Sequence, residues 1–117
     1  MSGKISYLAG EAAEQQVAAH YIARGMSIAA RRWRGKGGEI DLVAQDGDGL
    51  VFIEVKKSRS HARAAERLSI RQINRLFDAA GEYMAASGNE GLVNARFDVA
   101  LVDGVGRIEI IENALVT

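Results

Sequence analysis

A mixed α/β fold follows from three features of the sequence. Two stretches, from Tyr7 to Arg24 and from Ser69 to Gly88, repeat their apolar residues at helical spacing. Between them two β-rich runs, EIDLVAQ and LVFIEVK, flank the turn Asp46-Gly47-Asp48-Gly49. After the second helical stretch, ARFDVALV and GRIEII form another strand pair around DGVG. The expected order is α, β, β, β, α, β, β in one domain over residues 1–117, a length that builds one core and not two.

Each element has its own signals. Gly25 stands where a left-handed residue ends a helix, so the first helix closes at Arg24. MSIAARRW then alternates loosely as a strand. The Asp/Gly turn makes the next two strands a hairpin, with Gln45 facing Leu50 if the turn is centred between Gly47 and Asp48. The second helix opens at Ser69, because Gln72 three residues on completes a capping box, and Ile73, Leu76, Phe77, Ala80 and Met84 then share one face. Gly88 stops it.

Composition removes several function classes. The chain has no cysteine, which excludes a disulfide framework and a thiolate metal site and suits a reducing cytoplasm. MSGKISYLAGEAAEQQ meets Gly, Glu and Gln before a signal-peptide apolar core could form, and no run reaches the length of a membrane span, so a soluble cytoplasmic protein is expected. The 15 basic and 15 acidic residues cancel but are unevenly spread. Residues 31–36, RRWRGK, carry four positive charges and no acid; Lys56, Lys57, Arg59, Arg63, Arg67, Arg71 and Arg75 face Glu66 alone across residues 56–75. Such segregation either solvates a loop and a helix or builds a basic surface for an anionic partner.

The hairpin raises a sharper question, because its strands carry Glu39, Asp41, Glu54 and Lys56. In the expected register Asp41 faces Glu54 and Glu39 faces Lys56, all on one face, since residues two apart in a strand point the same way. Opposed side chains have Cβ atoms roughly 5 Å apart, and like charges there destabilise. Asp41 against Glu54 therefore calls for a cation between them or a proton on one of them, unless a bulge separates the two. The first helix repeats the oddity: Glu11 and Glu14 fall inside the apolar arc of Tyr7, Val17, Ala18, Tyr21 and Ile22. Carboxylates in an apolar stripe are costly unless paired or coordinating. Glu11 either complements the helix dipole or serves a site, and Glu14 either snorkels from the edge or does the same.

Asp41, then Glu54-Val55-Lys56 at the end of the next strand, after a helix bearing Glu11, resembles the PD-(D/E)XK nuclease superfamily. More closely, GEAAEQQVAAHYIARG, GGEIDLVA, LVFIEVK and ARFDVALV resemble the YraN family of small bacterial proteins over nearly the whole chain. The resemblance implies a restriction-endonuclease-like α/β core with a mixed sheet flanked by helices. It implies Mg²⁺ or Mn²⁺ held by Asp41, Glu54 and the accessory acid Glu11, with Lys56 orienting or activating the attacking water. One position departs from the family pattern: two residues after the motif lysine, where the family carries arginine, stands Ser58, followed by Arg59.

Those residue types belong together chemically. Phosphodiester hydrolysis needs a nucleophilic water and stabilisation of charge on the phosphate, and a hard cation on two or three carboxylates supplies both. Lys57, Arg59, Arg71 and Arg75, with Arg32 and Arg34, then become contacts for the phosphates of nucleic acid, DNA being the expected partner. Trp33 is either core or a stacking platform, His61 either a phosphate contact or simply solvated, and Asp98, on one strand face with Arg96, forms a structural ion pair with it or has a part in what the family resemblance implies. The expected activity is a metal-dependent, structure-selective endonuclease, because so short a chain has little room for a sequence-recognition domain; a distant similarity to archaeal Holliday junction resolvases points the same way. The rivals are a non-catalytic nucleic-acid-binding module and a protein-interaction domain retaining the nuclease fold.

Overall fold

The structure, a computed structural model, describes residues 3–58, 69–88 and 94–114, with side chains from residue 11 onward. Arg59, His61, Arg63 and Arg67, and the side chain of Tyr7, lie outside the described residues. Helix α1 (Gly3–Ala23) starts earlier than expected and ends as expected, with Gly25 at φ 92°. Strands β1 (Ser27–Arg34), β2 (Glu39–Asp46) and β3 (Gly49–Lys57) follow, then helix α2 (Ile70–Ala86), β4 (Ala95–Val102) and β5 (Ile108–Ile111). The capping box is present: Ser69 Oγ accepts the Gln72 N–H and Gln72 Oε1 accepts the Ser69 N–H, both at 3.2 Å.

The five strands lie in sequence order in one sheet. Only β3 and β4 run parallel, and parallel neighbours need a long crossover, which is where α2 sits. The helices take opposite faces. Leu50 and Phe52 of β3 join Ile40, Val43, Val99 and Leu101 under Leu76, Ala79 and Ala80 of α2. Val51 and Ile53 point the other way, joining Leu42, Ala44, Ala100 and Val102 under Ala13, Val17, Ala18 and Tyr21 of α1. A central strand covered on both faces must be apolar throughout, which explains why LVFI shows no polar alternation. Trp33 packs against the α2 layer, edge-on to Tyr83 at 5.4 Å, and so belongs to the core. Ile22, expected in the buried arc of α1, is 51% exposed.

One irregularity positions everything that follows. Ile40 and Val43 lie in the same layer, as do Ala30 and Trp33 of the neighbouring strand, although the members of each pair are three positions apart. Both strands therefore exchange faces between the paired residues Arg31↔Leu42 and Trp33↔Ile40. Arg32, at that point on β1, has φ 47°, a left-handed conformation that side chains with a Cβ seldom adopt. Asp41 occupies the matching point on β2.

A carboxylate and lysine site at the open end of the hairpin

The β2–β3 ladder has the expected register from Asp46↔Gly49 to Leu42↔Ile53. At the next position the Asp41 side chain enters the backbone pairing: its Oδ2 accepts the Val55 N–H at 2.8 Å. Glu39 does not meet Lys56. It pairs instead with Arg34 at 3.0 Å, while Lys56 Nζ lies 3.2 Å from Glu54 Oε1 on its own strand. The face exchange at Asp41 is the reason, because it breaks the parity on which a continuous face of Glu39, Asp41, Glu54 and Lys56 depends.

Asp41 and Glu54 nevertheless come together. Their carboxyl groups lie within hydrogen-bonding reach, and both are held above the ordinary carboxylate range. For Asp41 burial is the main cause and the charge of Glu54 the next; the Val55 N–H works against them, and the sum is a pKa pushed up to about 7. For Glu54 burial raises the value, and Lys56 and the hydrogen bond with Asp41 oppose it. The side chains of Glu54 and Lys56 are only 17% and 16% exposed, so solvent screens this cluster weakly.

Helix α1 supplies the third acid. Glu14 adds to the negative potential at Asp41, and its Oε2 accepts the Arg32 Nε–H at 2.7 Å. Glu11, the accessory acid implied by the resemblance, lines a small cavity of about 120 Å³ with Glu14, Gln15, Arg31, Arg32 and Leu42. The electrostatic link to Asp41 thus runs through Glu14, with Glu11 one turn away. The Arg32–Glu14 pair was not foreseen in the sequence, whose only hint of it was a pair of glutamates in an apolar arc opposite an arginine-rich strand.

Among the described residues no three acidic or histidine side chains stand ready to hold a metal ion. Two do meet, and a hard cation that keeps most of its water needs only one or two carboxylates. Asp41 and Glu54, half-buried and mutually repelling, suit that role. Of the basic residues, Lys57 stands exposed at the end of β3, Arg71 and Arg75 are exposed one turn apart on α2, and Arg34 approaches Arg75 across the β1–β2 loop. Asp98 is buried and forms its ion pair with Arg96 at 2.9 Å; it also accepts from Tyr21 Oη at 2.7 Å and from the Asn113 N–H at 3.0 Å. That arrangement is structural.

The model of the family described as "Uncharacterised protein family UPF0102" matches residues 13–102, a span that holds Glu14, Asp41, Glu54 and Lys56 together. The chain belongs to UPF0102, the YraN family. A UPF0102 protein of Cereibacter sphaeroides is 58% identical over 114 residues, 97% of each chain. Another, from Ruegeria pomeroyi, is 56% identical over 112 residues, 96% of this chain and 91% of the relative. A third, from Dinoroseobacter shibae, is 44% identical over 111 residues, 95% of this chain and 83% of its own. The mixed five-stranded sheet between two helices is consistent with a restriction-endonuclease-like core for UPF0102. Among the described residues no helix is long and apolar enough to cross a membrane.

Proposed function

We propose that this UPF0102 protein binds nucleic acid and hydrolyses phosphodiester bonds as a structure-selective, metal-dependent endonuclease acting on DNA in the cytoplasm. The observation that carries the reading is the convergence of Asp41, Glu54 and Lys56 at one end of the hairpin. Two carboxylates that repel each other, with an ammonium 3.2 Å from one of them, make a poor structural device and a suitable hydrolytic one. Mg²⁺ or Mn²⁺ on Asp41 and Glu54 would supply a nucleophilic water at neutral pH and offset charge on the phosphate. Lys56, held by Glu54 and no metal ligand itself, has the reach to place its charge on the water or on a phosphate oxygen. Glu14, on the Asp41 side and tied to Arg32, takes the accessory place, with Glu11 behind it in the same cavity. Exposed cations on β1, β3 and α2 would hold the flanking phosphates.

The test is a cleavage screen over duplex, single-stranded, flapped and four-way DNA with Mg²⁺ and Mn²⁺, comparing the wild type with Glu54→Gln and Lys56→Ala. Cleavage of at least one substrate by the wild type, lost by a factor of about 10² or more in each variant, is expected. Because Lys56 neutralises Glu54 in a half-buried setting, Lys56→Ala also lowers stability, and the comparison belongs well below its melting temperature. Wild-type protein that binds these substrates and cuts none would leave the non-catalytic binding module as the function.

A further inference from the structure

The loop Arg34-Gly35-Lys36-Gly37-Gly38-Glu39 joins β1 to β2 and lies flat on α2. A methyl group on Gly35 would strike the Glu82 carboxylate, one on Gly37 would stand 2.8 Å from Asp78 Cβ, and one on Gly38 would stand 3.0 Å from the Arg75 carbonyl oxygen. Three glycines therefore secure one close approach. The Gly35 N–H closes the loop on the Gly38 carbonyl at 2.9 Å, and Glu82 Oε1 accepts the Gly37 N–H at 3.1 Å.

The second oxygen of Glu82 is buried with no hydrogen-bond partner among the described residues. Neither Asp78 nor Glu82 lines the cavity on the open side of the loop. There, Arg34, Lys36 and Arg75 surround a cavity of about 290 Å³ in which Glu39 is the one acid. Glu39 is taken by Arg34. Lys36 and Arg75 are exposed and have no acidic partner at ion-pair distance among the described residues. Surplus positive charge in a shape fixed by glycines is a receptor for a tetrahedral oxyanion.

We propose that this loop and Arg75 form a phosphate subsite that grips the nucleic-acid backbone beside the Asp41–Glu54–Lys56 centre. The identity of its ligand rests on the nuclease reading above; the anion chemistry does not. Gly38 lies three positions before Asp41, about 10 Å of extended chain, so the gripped phosphate lies within a few nucleotides of the scissile bond. Substrate then runs from the hairpin across the loop toward Arg71 on α2.

Two measurements test this without requiring cleavage. A labelled single-stranded oligodeoxynucleotide is titrated at several salt concentrations against the wild type and the double variant Lys36→Ala/Arg75→Ala. The subsite predicts a log–log salt slope shallower by about 1.4, from about 0.7 per lost contact on single strands. An unchanged slope in a protein that binds the oligonucleotide overturns it. Separately, inorganic pyrophosphate is titrated while the amide resonances of Gly35, Gly37 and Gly38 are followed by NMR. Shifts at these glycines that vanish in the double variant support the subsite, and would do so even for a protein with no affinity for nucleic acid, in which case the nuclease reading alone falls. No shifts at the loop overturn the subsite whatever the protein cuts.

Discussion

Asp41 concentrates the chemistry of this fold in one residue, because it serves at once as a backbone acceptor for Val55 and as half of a like-charged pair. Its pKa rises on folding from 3.8 to about 7, so between those values the folded state binds more protons than the unfolded one. Stability of the metal-free protein must then fall as pH rises through that window, with the contribution fully present below about pH 4; for one such carboxyl the span is on the order of 4 kcal/mol. Asp41→Asn keeps a side-chain oxygen for the Val55 N–H and cannot ionise, so urea melts at about pH 5 and about pH 8 should differ far less for the variant than for the wild type. An undiminished pH dependence in the variant would assign the titration elsewhere. Arg32 offers a second residue-scale test. In an ordinary strand glycine is less stable than alanine by about 0.5–1 kcal/mol, but at a left-handed position the order inverts. Arg32→Gly and Arg32→Ala lose the same ion pair with Glu14, and the glycine variant should be the more stable by about 1 kcal/mol in urea denaturation. The opposite order would place Arg32 in ordinary extended backbone.

At the scale of elements, α1 and β4 meet through Tyr21 and Asp98, 77 residues apart in the chain, and Asp98 also receives Arg96 and the Asn113 N–H. A buried carboxylate is tolerable only when saturated in this way. Tyr21→Phe deletes one of its donors and should cost about 1.5–3 kcal/mol, measured by urea denaturation; a loss under about 0.5 kcal/mol would mean that the remaining donors suffice. How far the sequence announced each of these elements depends on how local its cause is. The hairpin turn, the Ser69–Gln72 box and the stop at Gly25 are set by residues a few positions apart, and all three appear where expected. The Arg96–Asp98 pair was legible because two residues on one strand face touch. Tyr21 as its partner was not, since no local pattern encodes a contact across the fold. The Glu39–Lys56 pairing failed for a different reason: strand parity presumes a regular pleat, and the face exchange at Arg32 and Asp41 breaks it. Glu54 still reached Asp41 because the register below them held.

For the whole molecule the relevant quantity is charge held against its own repulsion. Net charge is zero, so the strain is local: at the open end of the hairpin Asp41 and Glu54 are forced together, Glu14 adds to the potential, and Lys56 offsets it in part. A protein built this way should be held together more firmly by a divalent cation than without one. If Asp41 and Glu54 take Mg²⁺ or Mn²⁺, binding to the folded state alone contributes about 2.7 kcal/mol when free metal exceeds its dissociation constant a hundredfold, a rise in melting temperature on the order of 10 °C for a chain of this size. Asp41→Asn removes one charge and preserves shape, so two changes must appear together near neutral pH. Metal-free stability holds or rises, because the repulsion is gone, and the metal-dependent increment shrinks sharply, because a ligand is gone. Thermal scans with and without metal separate these effects without any knowledge of the substrate. Should Asp41→Asn be clearly destabilised in the absence of metal, with metal shifts equal to the wild type, the Val55 hydrogen bond would be the whole purpose of Asp41, and the hydrolytic centre would have to be sought elsewhere on the fold.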